Sequence, residues 1–313
     1  MNLKTLKRLG HLAILATAFS VTTATAQTTW YLLRNQANSE NFNTVSLWNS
    51  NSAGTGTAAT GMDPTAIYDT NGKAVRSPSA TGGVTSTFSG GLLLLNHSEF
   101  SLKTTTNNDV ANLATAATGA DILNANPTSA VKLRVSGTFT VNGNTGIFST
   151  AADRSIALEV GTLTGSGDLF IGGTRQINGA TSQFASASIT ATNALNYTGD
   201  IVLGSSTVAT NNLSFGSNFS SGGSLKLSTG TTLKLAHNLS FAGGLFLDNQ
   251  LIALSAGTYD YAALVAANAS LGSVLTDLGG HLIVSAIPEP STFAAIAGFS
   301  VLLLGLMVRR RAR

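Results

Sequence analysis

The stretches “VKLRVSGTFTVNG” (Val131–Gly143) and “IALEVGTLTGSGDLFIGG” (Ile156–Gly173) decide the fold of this 313-residue chain. In the first, Val131, Leu133 and Val135 alternate with Lys132 and Arg134, Ser136-Gly137 interrupts, and Phe139 and Val141 resume the alternation. In the second, Ile156, Leu158 and Val160 alternate, and Leu169 and Ile171 follow after glycines. Successive side chains of a strand point to opposite faces, so period two marks half-buried β-strands. The same pattern continues downstream: Ile201 and Leu203, Leu213 and Phe215, Leu225 and Leu227, Leu233 and Leu235, Leu239 and Phe241, Leu245 and Leu247. Gly or Asn separates most of these runs, and both tolerate the positive φ of sharp corners.

Many short strands with tight corners fit two all-β architectures. A sandwich needs fewer, longer strands with turn signals every 8–12 residues. A solenoid needs short strands repeating every 20 to 25 residues or so, each repeat burying its apolar face on the next. Leu203, Leu225 and Leu245 recur at that interval, as do Val135 and Leu158, without a strict consensus. The favoured expectation is a right-handed parallel β-helix, with Asn and Thr laddered along its outside. Upstream, “TTWYLLRN” and “FNTVSLWNS” read as opening strands, with Trp30 and Trp48 covering the first repeat. “GGLLLLNHSEFSLK” reads as two strands around Asn96-His97. “VANLATAATGADIL” reads as loop and strand, although Val110, Leu113, Ala114 and Ala117 also fit a helical stripe.

The two ends differ from the body. Lys4, Lys7 and Arg8, the apolar run Leu9 to Val21, and Ala24-Thr25-Ala26 form a secretory signal peptide with its small-x-small cleavage site at Ala24 and Ala26. Residues 1–26 are therefore expected to be removed. At the other end, residues 293–308 are apolar apart from Ser300 and two glycines, and Arg309, Arg310, Arg311 and Arg313 follow. Counted from Pro290, this segment would span roughly 28 Å as a helix, close to the bilayer core of about 30 Å. The arginines would hold its end in the cytoplasm. Pro288-Glu289-Pro290 keeps the junction extended and open to a processing enzyme.

This tail, 287–313, resembles the PEP-CTERM sorting signal of bacteria, on Pro288, Glu289 and Pro290, the apolar span and the arginine cluster. The resemblance implies removal by exosortase, a membrane-embedded cysteine transpeptidase, and hence a substrate rather than an enzyme. Signal peptidase and exosortase are the implied partners. The implied locations are the inner membrane for the precursor, then the envelope, cell surface or medium. More softly, “EVGTLTGSGDLFIGG”, “ALNYTGDIVLG” and “LSAGTYDYAALVAA” resemble autotransporter-type β-helix passengers. The expected organisation is 27–130 as N-terminal β region and cap, 131–286 as solenoid body.

Composition narrows the chemistry. The formal charge of +3 comes from the ends; from Gln27 to Ala286 there are ten basic and thirteen acidic residues. A mildly acidic body lacks the basic patch that nucleic acid needs. Cysteine is absent, which removes disulfides, thiolate nucleophiles and sulfur-ligated metals. His11, His97, His237 and His281 are isolated, and no G-x-S-x-G elbow occurs. The densest charge cluster is Lys132, Arg134, Asp153, Arg154, Glu159, Asp168 and Arg175. Gathered on one face it would suit a polysaccharide-acting enzyme, since glycoside hydrolysis needs paired carboxylates. Scattered, it is a solvated surface. Asp168 after Gly165-Ser166-Gly167 is a weak calcium-loop candidate. The leading expectation is an exported, non-catalytic envelope or matrix protein, without catalytic residues, metal or cofactor, with an exopolysaccharide as candidate partner. The alternatives are a polysaccharide-acting β-helix enzyme and a carbohydrate-binding adhesin stacking sugars on Trp30 or Trp48.

Overall fold

The computed structural model describes residues 27–79, 85–104, 107–151, 154–181 and 183–284. The described chain is mostly β-strand with little helix. Two large sheets take strands in turn from the sequence, so most hydrogen-bonded neighbours are parallel and non-consecutive. The first sheet runs through Thr29–Leu32, Ile67–Asp69, Leu92–Leu95, Asn112–Thr115, Val131–Val141, Ile156–Gly165, Ser186–Asn193, Asn211–Phe215, Thr231–Leu235 and Leu275–Asp277. The second runs through Val75–Arg76, Ser98–Leu102, Ala120–Asn124, Thr145–Ser149, Leu169–Ile171, Ile201–Leu203, Ser224–Leu227 and Gly244–Leu247. A smaller third sheet joins Phe219–Ser221, Leu239–Phe241 and Leu282–Val284 in parallel, with Gly257–Tyr259 antiparallel at its edge. Both large sheets run across residue 130 without a break: Asn107–Val110 and Asn112–Thr115 pair with Val131–Val141 in the first, and Ala120–Asn124 pairs with Thr145–Ser149 in the second.

Register follows the alternation. Leu133 lies opposite Leu158, Leu158 opposite Ile189, Ile201 opposite Leu225, and Leu225 opposite Leu245. The coarse interval of the sequence leaves the register open, and the structure sets it: Val135 faces Val160 and Leu203 faces Leu227. A slip of two keeps every side chain on its face, so the apolar pattern cannot detect it. Leu133, Val135, Leu158, Val160, Leu203, Leu225 and Leu245 all enter one apolar cluster reaching from Leu32 to Leu282. Each such leucine contributes roughly 1.5–3 kcal/mol of burial.

Ser136-Gly137 does not end a strand. Val131–Val141 continues through it as a β-bulge, with a register shift between Val135 and Thr138. Its first half pairs with Asn107–Val110 and its second with Asn112–Thr115. The bulge stacks on neighbours that leave no room for side chains: a Cβ on Gly161 would lie 2.5 Å from Ser136 O.

Glycine also builds the corner that enters the second sheet. Gly143, Gly167, Gly199, Gly223 and Gly243 stand directly on one another. A Cβ on Gly167 would lie 2.5 Å from Gly143 O, and one on Gly199 or Gly223 would collide with the carbonyl of the glycine before it. Only a residue without Cβ permits this approach. Tyr197, fully buried, fills the space beside this corner and donates its hydroxyl toward Gly167 O (2.9 Å) and Asp200 O (3.0 Å).

Polar ladders run inside as well as outside: outward Thr138 and Thr140 lie opposite Thr162 and Thr164, and further polar pairs are buried. Thr70 Oγ1 donates to Ser98 Oγ at 2.7 Å, and Thr145 Oγ1 to Thr115 Oγ1 at 3.1 Å. Asn124 Nδ2 donates to Ser155 O, and Asn211 Oδ1 accepts from Ala185 N. All of these side chains except Ala185 and Ser155 belong to buried polar residues, and their bonds supply the partners that buried polar atoms require.

At the N-terminal end, Trp48–Asn49 pairs antiparallel with Thr29–Leu32. Part of “FNTVSLWNS” is a 3-10 turn, Val45–Leu47, rather than strand. Trp48, Tyr68, Phe88, Phe42 and Phe100 form a chain of edge-to-face rings, 5.0 to 6.2 Å between centroids. At the other end, the helix Tyr261–Ala267 lies within a stretch read from sequence as β-repeat. Asp260 caps it, accepting from Ala263 N at 2.8 Å, and Leu264 is buried. “VANLATAATGADIL” forms strands around a turn at Gly119, φ 82°, with no helix.

Candidate functional site

The predicted charge cluster does not converge. Lys132, Arg134 and Glu159 point outward from the first sheet, because they alternate with buried Leu133, Val135 and Leu158. Lys132 Nζ holds Glu159 Oε1 at 2.6 Å, and Arg134 holds Asp109 Oδ2 at 2.8 Å. Arg134 sits between Asp109 and Glu159 in the ladder, so the column alternates in sign. Arg154 donates to Asn126 O at 2.8 Å and to Thr150 Oγ1 at 3.2 Å. Asp153 lies outside the described residues.

Asp168 belongs to a different corner. Its Oδ1 accepts from Asp200 N at 2.8 Å, and Asp200 Oδ1 in turn accepts from Ser224 N at 2.8 Å. Lys226 completes the set at 2.5 Å from Asp200 Oδ2. Burial pushes the Asp200 carboxyl up, but the Lys226 ammonium and the Ser224 bonds outweigh it and hold the group below the usual carboxylate range. These aspartates fasten one pass of the chain to the next; among the described residues no group of three or more potential metal ligands occurs.

The most built polar constellation surrounds Arg175. Its Nε donates to Asp121 Oδ2 at 3.0 Å and its NH2 to Glu99 Oε2 at 2.5 Å. Glu99 and Asp121 are register partners on the outward face of the second sheet. The Arg175 guanidinium also lies 5.9 Å from the centre of the Phe148 ring. Phe148 is fully buried yet outside the main core, since its position points outward. What covers it is the excursion around Arg175, closed by reciprocal bonds between Gly173 and Gln183 (2.9 and 2.8 Å). Asp121 is wholly buried, and its second oxygen accepts from Gln176 N at 2.9 Å. For Glu99, desolvation raises the carboxyl pKa, but hydrogen bonds from Ser101 and Arg175 and the charges of Arg175 and Lys103 outweigh it, leaving it below the usual range. The two acids were legible only as polar second positions of “SEFSL” and “ADILN”; no periodicity announces an arginine arriving from a loop.

Two shallow grooves flank the bulge on the first sheet. One, of about 450 Å³, runs past Gln27, Thr65, Leu92, Asn112, Thr138 and Thr140. The other, of about 290 Å³, lies between Arg134, Ser136, Glu159, Gly161, Thr190 and Thr192. Threonines line both alongside apolar residues such as Leu92, Leu113 and Val160, and their described charges are those of Arg134 and Glu159. Such surfaces offer hydrogen bonds to hydroxyl-rich ligands and no general acid–base pair.

Trp48 cannot stack a sugar: it is fully buried, with Nε1 donating to Phe42 O at 3.1 Å. Trp30 is half-buried against the core. His97 is an exposed corner residue with φ 45°, and His281 Nδ1 lies 3.3 Å from Asn238 Oδ1. The terminal signals expected from the sequence, Ala24 and Ala26, Pro288, Glu289 and Pro290, the 293–308 span and Arg309, Arg310, Arg311 and Arg313, lie outside the described residues. Among the described residues, no helix is long and apolar enough to cross a membrane. No protein-family model matches the sequence, and neither a curated protein nor a solved structure matches it.

Proposed function

We propose that this protein is an exported, non-catalytic component of the cell envelope or extracellular matrix, sorted by exosortase through its PEP-CTERM tail, with a right-handed parallel β-solenoid as its body. The solenoid reading is supported by parallel ladders in which each sheet takes strands in turn, by the glycine stack at one corner and by buried polar ladders at others. The sorting reading rests on Pro288-Glu289-Pro290, the apolar span and the arginines that follow. One observation carries the non-catalytic reading: the described carboxylates of the densest charge region are spent on structural partners. Glu159 pairs with Lys132, Asp109 with Arg134, Asp168 with a backbone amide, and Glu99 and Asp121 with Arg175. A glycoside hydrolase needs two carboxyls free to face one bond, whereas the adjacent pair Glu99 and Asp121 is tied to Arg175, with Asp121 wholly buried.

The adhesin reading survives in modified form, because the grooves beside the bulge present threonine, asparagine and one ion-pair column to solvent. It would rely on hydrogen bonds rather than tryptophan stacking.

The decisive experiment replaces Pro288, Glu289 and Pro290 together with alanine. The full-length precursor should accumulate in the inner membrane, read by intact mass of that fraction. Trimming and release at the parental rate would show that the tail is an ordinary anchor and not a sorting signal.

A further inference from the structure

Gln27 follows Ala24-Thr25-Ala26 directly. It is exposed, and its side-chain amide Nε2 donates to Thr65 O at 2.6 Å on the rim of the larger groove. The next residue is already pinned to the first sheet, since Thr28 O accepts from Ile67 N at 2.9 Å, and the strand Thr29–Leu32 follows at once. We propose that Gln27 becomes the first residue of the exported chain and closes to pyroglutamate. The inference rests on the export reading above.

The chemistry is self-contained. Hydrolysis of the Ala26–Gln27 peptide bond frees the Gln27 α-amine, which attacks Cδ of its own side chain. A bond forms between the α-nitrogen and Cδ, the bond from Cδ to Nε2 breaks, and Nε2 leaves as ammonia with a proton from the amine. The cleavage consumes one water, and the ring closure itself consumes no oxidant, reductant or co-reactant. The fold permits the step because Gln27 lies ahead of the pinned point. Its side chain gives up one exposed hydrogen bond, to Thr65 O, and no sheet bond need open. The lactam keeps one N–H donor. Closure removes the positive charge of the terminus and blocks aminopeptidases two residues before a strand that carries fully buried Leu32.

The test uses the mature protein recovered from envelope and culture medium. Trypsin should release its first peptide as Gln27–Arg34, QTTWYLLR. A synthetic, isotope-labelled QTTWYLLR with a free amine, carried through the same work-up, measures closure caused by handling. The expected result is a native peptide lighter by one NH3, in a proportion well above that control. In the Gln27→Ala variant the corresponding peptide should keep a free amine. A peptide starting at Gln27 with an open amine would overturn the cyclisation while leaving the cleavage site standing. A terminus at another residue would overturn both.

Discussion

Replacing Arg175 with alanine should cost more than any other charge removal in the described body. The side chain is 15 % exposed, and it is the countercharge for Asp121, which is 0 % exposed, and for Glu99, which is 27 % exposed. Removing one partner of a buried ion pair costs about 3–5 kcal/mol, because the remaining charge is stranded. Two features place Arg175→Ala near the lower end. Glu99 is still reached by water, and the Gly173–Gln183 excursion can lift to admit more. Loss of the contact with Phe148 adds about 0.5–1 kcal/mol. The expected total is about 3.5–4 kcal/mol, expressed first as lost amide protection in the excursion and around Phe148. Hydrogen exchange by mass spectrometry resolves this from the rest of the chain, and urea unfolding gives the global share. Arg175→Met combined with Glu99→Gln and Asp121→Asn should recover most of the loss, since it strands no charge. A cost for Arg175→Ala below roughly 0.5 kcal/mol, the range of exposed pairs, would refute the claim that this cluster fastens the excursion.

The same cluster fixes a pH dependence. The Glu99 carboxyl titrates lower in the folded chain than an ordinary glutamate, so its contribution is present above about pH 4.3 and is lost as pH falls through the folded value. Acid should therefore lower the protection factors of the excursion, measured against the intrinsic exchange rate at each pH, and Glu99→Gln should abolish that part of the acid response.

Other expectations follow from the corner and the core. Gly199→Ala places a Cβ against Gly167 O and should destabilise by roughly 1–3 kcal/mol or more, measured by thermal unfolding. Tyr197→Phe leaves the carbonyls of Gly167 and Asp200 without their hydroxyl donor and should cost about 1–3 kcal/mol in urea. Leu158→Ala opens the centre of the apolar cluster and should cost about 2–5 kcal/mol, whereas Thr162→Ala on the outward side of the same strand should stay within about 0.5 kcal/mol.

The strands were legible because burial imposes period two on one face, and that signal survives any even slip. Hence the inward set Leu133, Leu158 and Leu225 could be named from the sequence, while the pairing of Val135 with Val160 could not. The bulge at Ser136-Gly137 looked like a turn because a glycine interrupts the alternation in both cases. What separates them is the next layer: Ala111 and Gly161 flank the bulge and keep the chain in one ladder. The helix Tyr261–Ala267 escaped notice because “YAALVAA” follows a strand without an apolar stripe long enough to stand out; its Asp260 cap was the available signal.

A stricter repeat was present than apolar spacing reveals. “NGNT” (142–145), “SGDL” (166–169), “TGDI” (198–201), “GGSL” (222–225) and “AGGL” (242–245) each place glycine two residues before the inward position of a second-sheet strand. The constraint there is contact between backbones, which admits glycine alone and so leaves an exact sequence trace. Ion pairs obey no such rule. Arg175 meets Glu99 across 76 residues and Asp121 across 54, from a loop whose length the repeat does not set. A lone arginine and two acids on separate strands carry no periodic mark, so the corner can be read from the sequence and the cluster only from the fold. The division has a functional edge: the glycine corner secures the stacked parallel sheets, and the excursion closed by Gly173 and Gln183 stands outside that ladder. If the excursion merely shields Phe148, then deleting it with Phe148→Ser, Glu99→Gln and Asp121→Asn should leave the unfolding of the remaining sheets nearly unchanged. Loss of the whole cooperative transition in urea would instead make the excursion part of the folding unit.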